Sequence, residues 1–300
     1  MQIGFIGLGN LGAILVRNLV DKGYNLHLYN RTKEKLEVYS KKATLHDSLP
    51  SIAQACDIIL SIVSDDKAVQ SISLGKEGLV ENMKPGTVHI CLSTISPSAS
   101  VSLNQVYKEK KIDYITATVI GRPEAARNRN LVICYSGYST KKEAIFSILK
   151  DMGGAKIFEF GDDPKMAAAV KVCNNFLIVA AIEAMGETFN LIEKAGVDPK
   201  LFYEMITDTV FNSPIYKNYG KIITEKNYKE AGFTSQLGLK DTKLALAMAD
   251  ESSTPLPLGD LIRNRFFINH NHGRNDWDWT SIVTVIEERI EQNSSANTGI

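Results

Sequence analysis

The run IGFIGLGNLGAILVRNL, residues 3–19, decides the fold. Its glycines at 7, 9 and 12 form the pattern G-x-G-x-x-G. An apolar β-rich run precedes it, an amphipathic helix follows, and a second β-rich run, NLHLYN (25–30), completes a βαβ unit. Each glycine meets a separate demand. Gly7 permits the tight turn, Gly9 lets backbone approach a pyrophosphate, and Gly12 allows close helix–strand packing. The backbone amides of Leu8, Asn10 and Leu11 complete the loop, which stands at a helix start where an anionic bridge is favoured.

Working outward, further β-rich runs occur at 57–63, 87–93, 113–120, 130–136 and 155–160, with amphipathic segments between most of them. Such alternation predicts a doubly wound, mostly parallel α/β Rossmann sheet. After GDDPK (161–165) the character changes, and helices are expected over 164–194, 198–208, 214–225, 235–250, 256–269 and 279–291. The 300 residues therefore divide into a Rossmann domain at 1–162 and an all-α domain at 163–292, with a frayed tail at 293–300. A long interdomain helix is expected to line the junction.

Composition narrows the function. The 34 basic and 34 acidic side chains cancel, and no polybasic block occurs, which argues against nucleic-acid and membrane-surface partners. Cys56, Cys91, Cys134 and Cys173 are scattered without a CxxC pair, so neither a metal site nor a disulfide framework is expected, and a reduced cytoplasmic setting fits. No signal peptide is expected, nor any membrane-spanning run free of polar interruption. His270 and His272 read as a polar loop, and Trp277 and Trp279 as buried anchors of the last helix. Met185-Gly186 marks close helix packing or a bend.

The end of the second strand selects the nucleotide. A carboxylate there would bind a ribose 2′-hydroxyl and repel a 2′-phosphate. This chain carries Asn30, Arg31 and Thr32 instead: Arg31 can pair with a phosphate, and its neighbours can donate hydrogen bonds to it. NADP(H) is expected in preference to NAD(H). Two further strand ends, Val63-Ser64 and Ser93-Thr94, are expected beside the cofactor, since ligands bind beyond the carboxyl edge of such sheets.

AAAVKVCNNFLIVAAI (167–182) poses a different problem. Lys171 and Asn175 interrupt an apolar helix four residues apart, and so share one face. An ammonium in poorly hydrated surroundings is costly unless it works there. A lysine so placed is suited to protonate an alkoxide as hydride reaches a carbonyl, and Asn175 can orient the substrate. Asn174 is expected to serve the domain junction.

Together GFIGLGNLG (4–12), NRT (30–32), STISP (93–97), AAVKVCNNF (168–176) and LGLKDTKLALAMA (237–249) resemble the β-hydroxyacid dehydrogenase family, which includes 3-hydroxyisobutyrate dehydrogenases, glyoxylate and semialdehyde reductases, and 6-phosphogluconate dehydrogenases. The resemblance implies catalysis by Lys171 with Asn175, cofactor contacts from Thr94 and Lys240, and a homodimer or homotetramer packed through the helical domain. It implies hydride exchange with a small hydroxy acid, semialdehyde or 2-oxo acid. Read alone, Lys240 with Asp241 is a solvated pair.

One stretch departs from the family pattern. In ATVIGRPEAARNRN (117–130), Thr118 stands for a proline, Ile120 for a serine and Arg122 for a glycine, while Gly121 remains. The substrate residues are then Ser93, Gly121 and Arg122. Either Arg122 grips an anion, or it faces solvent while Ile120 lines an apolar pocket. Arg127 and Arg129 read as surface charges. This departure leaves room for a non-catalytic NADP-binding sensor or scaffold; imine reductases also resemble this architecture, but they typically place an aspartate or tyrosine where Lys171 stands.

Overall fold

The structure, a computed structural model, describes residues 1–286. It divides into two compact units, Met1–Lys171 and the remainder from Val172 on.

The first unit holds eight strands: β1 (Ile3–Ile6), β2 (Leu26–Tyr29), β3 (Ala43–Leu45), β4 (Ile58–Ser61), β5 (Val88–Cys91), β6 (Asp113–Ile120), β7 (Leu131–Ser136) and β8 (Gly154–Glu159). Their order across the sheet is β3-β2-β1-β4-β5-β6-β7-β8. The first six are parallel, β7 runs antiparallel to β6, and β8 is parallel to β7. Order reverses between β1 and β4, the switch point at which ligands bind in such sheets.

Burial on both faces explains the continuous apolar runs. In β4, Ile58 and Leu60 join one core with Leu15, Leu28, Ile90 and Ile133, whereas Ile59 joins another with Ile6, Ile52, Leu103 and Tyr107. The helices of this unit are α1 (Gly12–Asp21), α2 (Leu49–Ala55), α3 (Asp66–Ser73), α4 (Leu79–Asn82), α5 (Pro97–Glu109), α6 (Pro123–Arg127) and α7 (Lys142–Asp151). Ser96 caps α5 ahead of Pro97 and accepts the Ala99 N–H at 3.1 Å. Strand β3 is absent from the sequence reading. It has three partly or fully exposed residues at a sheet edge, too few to display an alternating pattern.

The helices that follow are α8 (Lys165–Lys194), which begins in the first unit, then α9 (Pro199–Asp208), α10 (Pro214–Thr224), α11 (Ser235–Glu251) and α12 (Pro257–Asn271). By length and mean hydropathy α8 could cross a membrane. Here it is a core helix: Val179, Ile182, Met185 and Phe189 pack with Ile206, Tyr219, Phe266 and Trp279. Its buried Glu183 is held by Arg265 at 2.8 Å. Burial pushes that carboxyl's pKa up, and the guanidinium opposes the push. Gly186 is a packing glycine, since a Cβ there would lie 2.4 Å from Val283 Cγ1. The last expected helix opens as a 3₁₀ turn, Trp279–Val283, and the expected tail at 293–300 lies outside the described residues.

Candidate active site

The glycine loop has the geometry its spacing demands. Gly7 sits at φ +101°, and a Cβ on it would come within 2.1 Å of the Ile62 carbonyl oxygen. A Cβ on Gly12 would lie 2.0 Å from the Gly7 carbonyl oxygen. Gly9 is the contrast: a Cβ there would meet no atom within 4 Å, so the backbone is open to close approach. Helix α1 has Leu11 at its N-cap with no side-chain cap, and a helix start of this kind favours an anion. Asn10 is exposed beside it, whereas Leu8 buries its side chain in the core. The loop at the switch point thus fits a dinucleotide pyrophosphate.

Asn30 does something the sequence reading did not anticipate. Its Oδ1 accepts the Leu8 N–H at 2.8 Å, and its Nδ2 donates to the Thr32 carbonyl at 2.7 Å. This side chain ties the glycine loop to the turn after β2, so both its Oδ1 and the Leu8 amide are already engaged within the protein. Arg31 and Thr32 are exposed on that turn.

At the ends of β4 and β5, Ser93 is buried and its Oγ accepts the Val63 N–H at 2.8 Å. The hydroxyl assigned to substrate therefore pins two strand ends together. Ser64 is exposed and donates to Asp65 at 3.0 Å, while Asp65 caps α3 through the Ala68 N–H. Asp66, which the sequence did not single out, takes both the N–H and the Oγ–H of Ser96, at 3.0 and 2.6 Å. It braces the start of α3 against the start of α5, two residues after half-buried Thr94.

Beyond β6, Gly121 sits at φ +146° and Arg122 is half-buried at the N-cap of α6. Arg127 is an exposed charge paired with Glu124. Arg129 is not a surface charge. It is half-buried and donates to the carbonyls of Asp151 and Asn18, at 2.8 and 3.1 Å, closing the ends of two helices.

The start of α8 is fastened to β6 and β7. Ser136 Oγ donates to the Pro164 carbonyl at 3.0 Å and accepts the Ala167 N–H at 2.9 Å. Thr118 Oγ1 donates to the Ala167 carbonyl at 3.2 Å. One turn later comes Lys171, half-buried. Burial pushes the pKa of the Cys134 thiol up, and the nearby Lys171 ammonium offsets part of that push.

Farther along the same helix, Asn175 is buried, accepts from Asn174 Nδ2 at 3.3 Å and donates to Asp241 Oδ2. Asp241 is only 3% exposed and also holds Lys240 Nζ at 2.8 Å. The pair on α11 is therefore no solvated surface pair. A buried carboxylate joins the asparagine of α8 to the lysine of α11, a link 66 residues long that no local pattern announces. Among the described residues no group of three or more His, Cys, Asp or Glu could hold a metal.

Known proteins are similar to this chain in sequence and in fold. The NAD binding domain of 6-phosphogluconate dehydrogenase matches residues 2–161, and the NAD-binding domain of NADP-dependent 3-hydroxyisobutyrate dehydrogenase matches residues 166–286. The uncharacterized oxidoreductase YfjR of Bacillus subtilis (strain 168) is 38% identical over 288 residues, covering 96% of this chain and 100% of that protein. The chloroplastic glyoxylate/succinic semialdehyde reductase 2 of Arabidopsis thaliana is 24% identical over 96% of this chain and 80% of its own length. In fold, Mycobacterium tuberculosis 3-hydroxyisobutyrate dehydrogenase superposes with a TM-score of 0.84 at 22% identity, covering 95% of this chain and 99% of that one. With both halves matched in order along the chain, this protein belongs to the β-hydroxyacid dehydrogenase family and is an NAD(P)-dependent oxidoreductase.

Proposed function

We propose that this chain is an NADP(H)-preferring reductase of a small semialdehyde or 2-oxo acid, with Lys171 as general acid in reduction and general base in the reverse direction. The observation that carries this reading is the fastening of α8 at Ser136 and Thr118, one turn before a half-buried Lys171. Gly7, Gly9 and Gly12 would cradle the dinucleotide, with Val63 and Thr94 beside it, and Arg31 and Thr32 would meet its 2′-phosphate. When bound, the nicotinamide supplies or takes up a hydride. Lys171 gives its proton to the carbonyl oxygen as negative charge develops there, and solvent restores that proton afterwards. Asn175, held by Asp241, would orient the substrate's polar groups, and Lys240 would contact the cofactor. Gly121 and Arg122 would receive an anionic substrate group. The relative named for glyoxylate and succinic semialdehyde supports that substrate class.

The same reading makes the protein a cytoplasmic self-assembling enzyme. Four free cysteines support a reducing setting. Leu177 and Leu191 on α8, with Leu201 and Met205 on α9, leave apolar side chains at least half exposed, and a second copy of the chain would cover them.

NADPH oxidation with glyoxylate, succinic semialdehyde, methylmalonate semialdehyde and tartronate semialdehyde, against matched NADH controls, tests the activity. Lys171→Ala is expected to abolish turnover while NADPH binding stays within about threefold. Tight NADPH binding without reduction of any carbonyl compound would favour a sensor, and activity confined to cyclic imines would favour an imine reductase.

A further inference from the structure

Thr118 and Ser136 face each other's strands in the antiparallel β6–β7 ladder, where Thr116 pairs with Ser136 and Thr118 pairs with Cys134. Both hydroxyls are fully buried. Between them they grip α8 at one residue, on the two peptides that flank Ala167. Ser136 Oγ takes the Ala167 N–H at 2.9 Å, and Thr118 Oγ1 donates to the Ala167 carbonyl at 3.2 Å. In an α-helix that carbonyl also accepts the N–H four residues on, which here is the N–H of Lys171.

A residue held through both its N–H and its carbonyl resists rolling about the helix axis. Residues four apart lie on one face of a helix, so the face of Ala167 that meets β6 and β7 also carries Lys171. The electrostatic influence of Lys171 on Cys134, opposite Thr118 in the ladder, agrees with that placement. A lysine stem has four rotatable bonds, and its direction is only as well defined as the backbone from which it leaves. Two residues beyond Thr118, β6 ends at Ile120, where Gly121 and Arg122 begin.

We propose that Thr118 is a positioning residue for Lys171: its buried hydroxyl, bonded to the Ala167 carbonyl, sets the direction in which the amine leaves α8 and couples that direction to the loop at Ile120–Arg122. This inference rests on the reading of Lys171 as the proton donor. Thr118 itself touches no reacting atom.

The test compares Thr118→Val, which keeps the shape and removes the hydroxyl, with Thr118→Ser, which keeps the hydroxyl. Single-turnover oxidation of NADPH by succinic semialdehyde at saturation gives a rate constant that does not depend on how much protein is folded. That constant is expected to fall about tenfold in the valine variant and to stay within about twofold in the serine variant, with NADPH affinity unchanged in both. A second readout needs no substrate. The rate at which 2,4,6-trinitrobenzenesulfonate modifies Lys171, followed by peptide mass spectrometry, should change severalfold in Thr118→Val and not in Thr118→Ser. A valine variant with wild-type turnover and wild-type Lys171 labelling overturns the inference, as does a serine variant as impaired as the valine one. Lys171→Ala, measured alongside, separates the two layers. Should it retain the wild-type rate constant, the proton-donor reading fails, and the labelling result still decides whether Thr118 directs the amine.

Discussion

Asn175 and Asp241 are joined by a hydrogen bond between α8 and α11, with both side chains buried and Lys240 on the carboxylate's other oxygen. A buried carboxylate with an amide on one oxygen and an ammonium on the other is satisfied only while both partners stay. Asp241 thereby fixes two side chains that the proposed reaction uses for different molecules.

Replacing Asp241 with asparagine should disturb both at once. The new amide would direct its own N–H groups at a donor on one side or the other. KM is expected to rise about tenfold for the carbonyl substrate and for NADPH, and stability to drop by about 1–3 kcal/mol. Steady-state kinetics with both substrates varied, together with urea melts, check this. A rise in only one of the two constants would show that Asp241 does not couple them.

Gly9 and Gly12 should respond in opposite ways to alanine. At Gly12 the added Cβ meets the Gly7 carbonyl oxygen at 2.0 Å, so the loop must shift, at a cost of about 1–3 kcal/mol. At Gly9 nothing lies within 4 Å, so the variant should melt like the wild type, within about 0.5 kcal/mol. Its NADPH affinity should nonetheless fall at least about tenfold, because the Cβ points where the pyrophosphate approaches. Calorimetric melting and NADPH titration of both variants separate the two effects.

Asn30→Asp is the informative change at the nucleotide end. A carboxylate oxygen can still accept the Leu8 N–H, so the glycine loop should survive. The bond donated to the Thr32 carbonyl is lost, and a negative charge appears beside the 2′-phosphate position. The ratio of kcat/KM for NADPH over NADH should fall about tenfold or more, and an unchanged ratio would show that this turn does not read the 2′-phosphate.

How much of this was written locally can be judged from these residues. The glycine loop and the lysine helix are short-range patterns, and five of the six parallel strands, with the helical second half, follow from alternation of β-rich and amphipathic runs. What escaped is long-range. That Asn30 also accepts the N–H of Leu8, 22 residues earlier, is nowhere visible in NRT. Asp241 looked solvated because its partner lies 66 residues away. Arg129 looked like a surface charge until the ends of α1 and α7 closed around it.

Acid should weaken the fold through His89. It is fully buried on β5, bonded through Nε2 to Ser61 at 2.8 Å, and burial pushes its pKa down to about 3. The unfolded chain takes up this proton near pH 6.5, the native chain only near pH 3. Stability is therefore complete above pH 6.5 and is lost as pH falls through that window, by roughly 1.4 kcal/mol per unit. Between pH 7.5 and 5 the wild type should lose about 2 kcal/mol more than His89→Gln in urea unfolding. Equal losses would show that His89 is not the group responsible. Burial lowers the pKa of His27, His46 and His270 too, and the comparison with the variant subtracts their share.

The reversal between β6 and β7 governs where the amine can go. Ascending α8, its anchors pass from Ser136 to Thr118, so the helix climbs alongside β6 toward Ile120. Had β7 been parallel, the chain would have emerged at the opposite rim, and a helix starting there would carry Lys171 away from the Ile120 end of β6. Because β8 leaves by the same rim as β7, an extra strand of that sense widens the platform without re-aiming the helix.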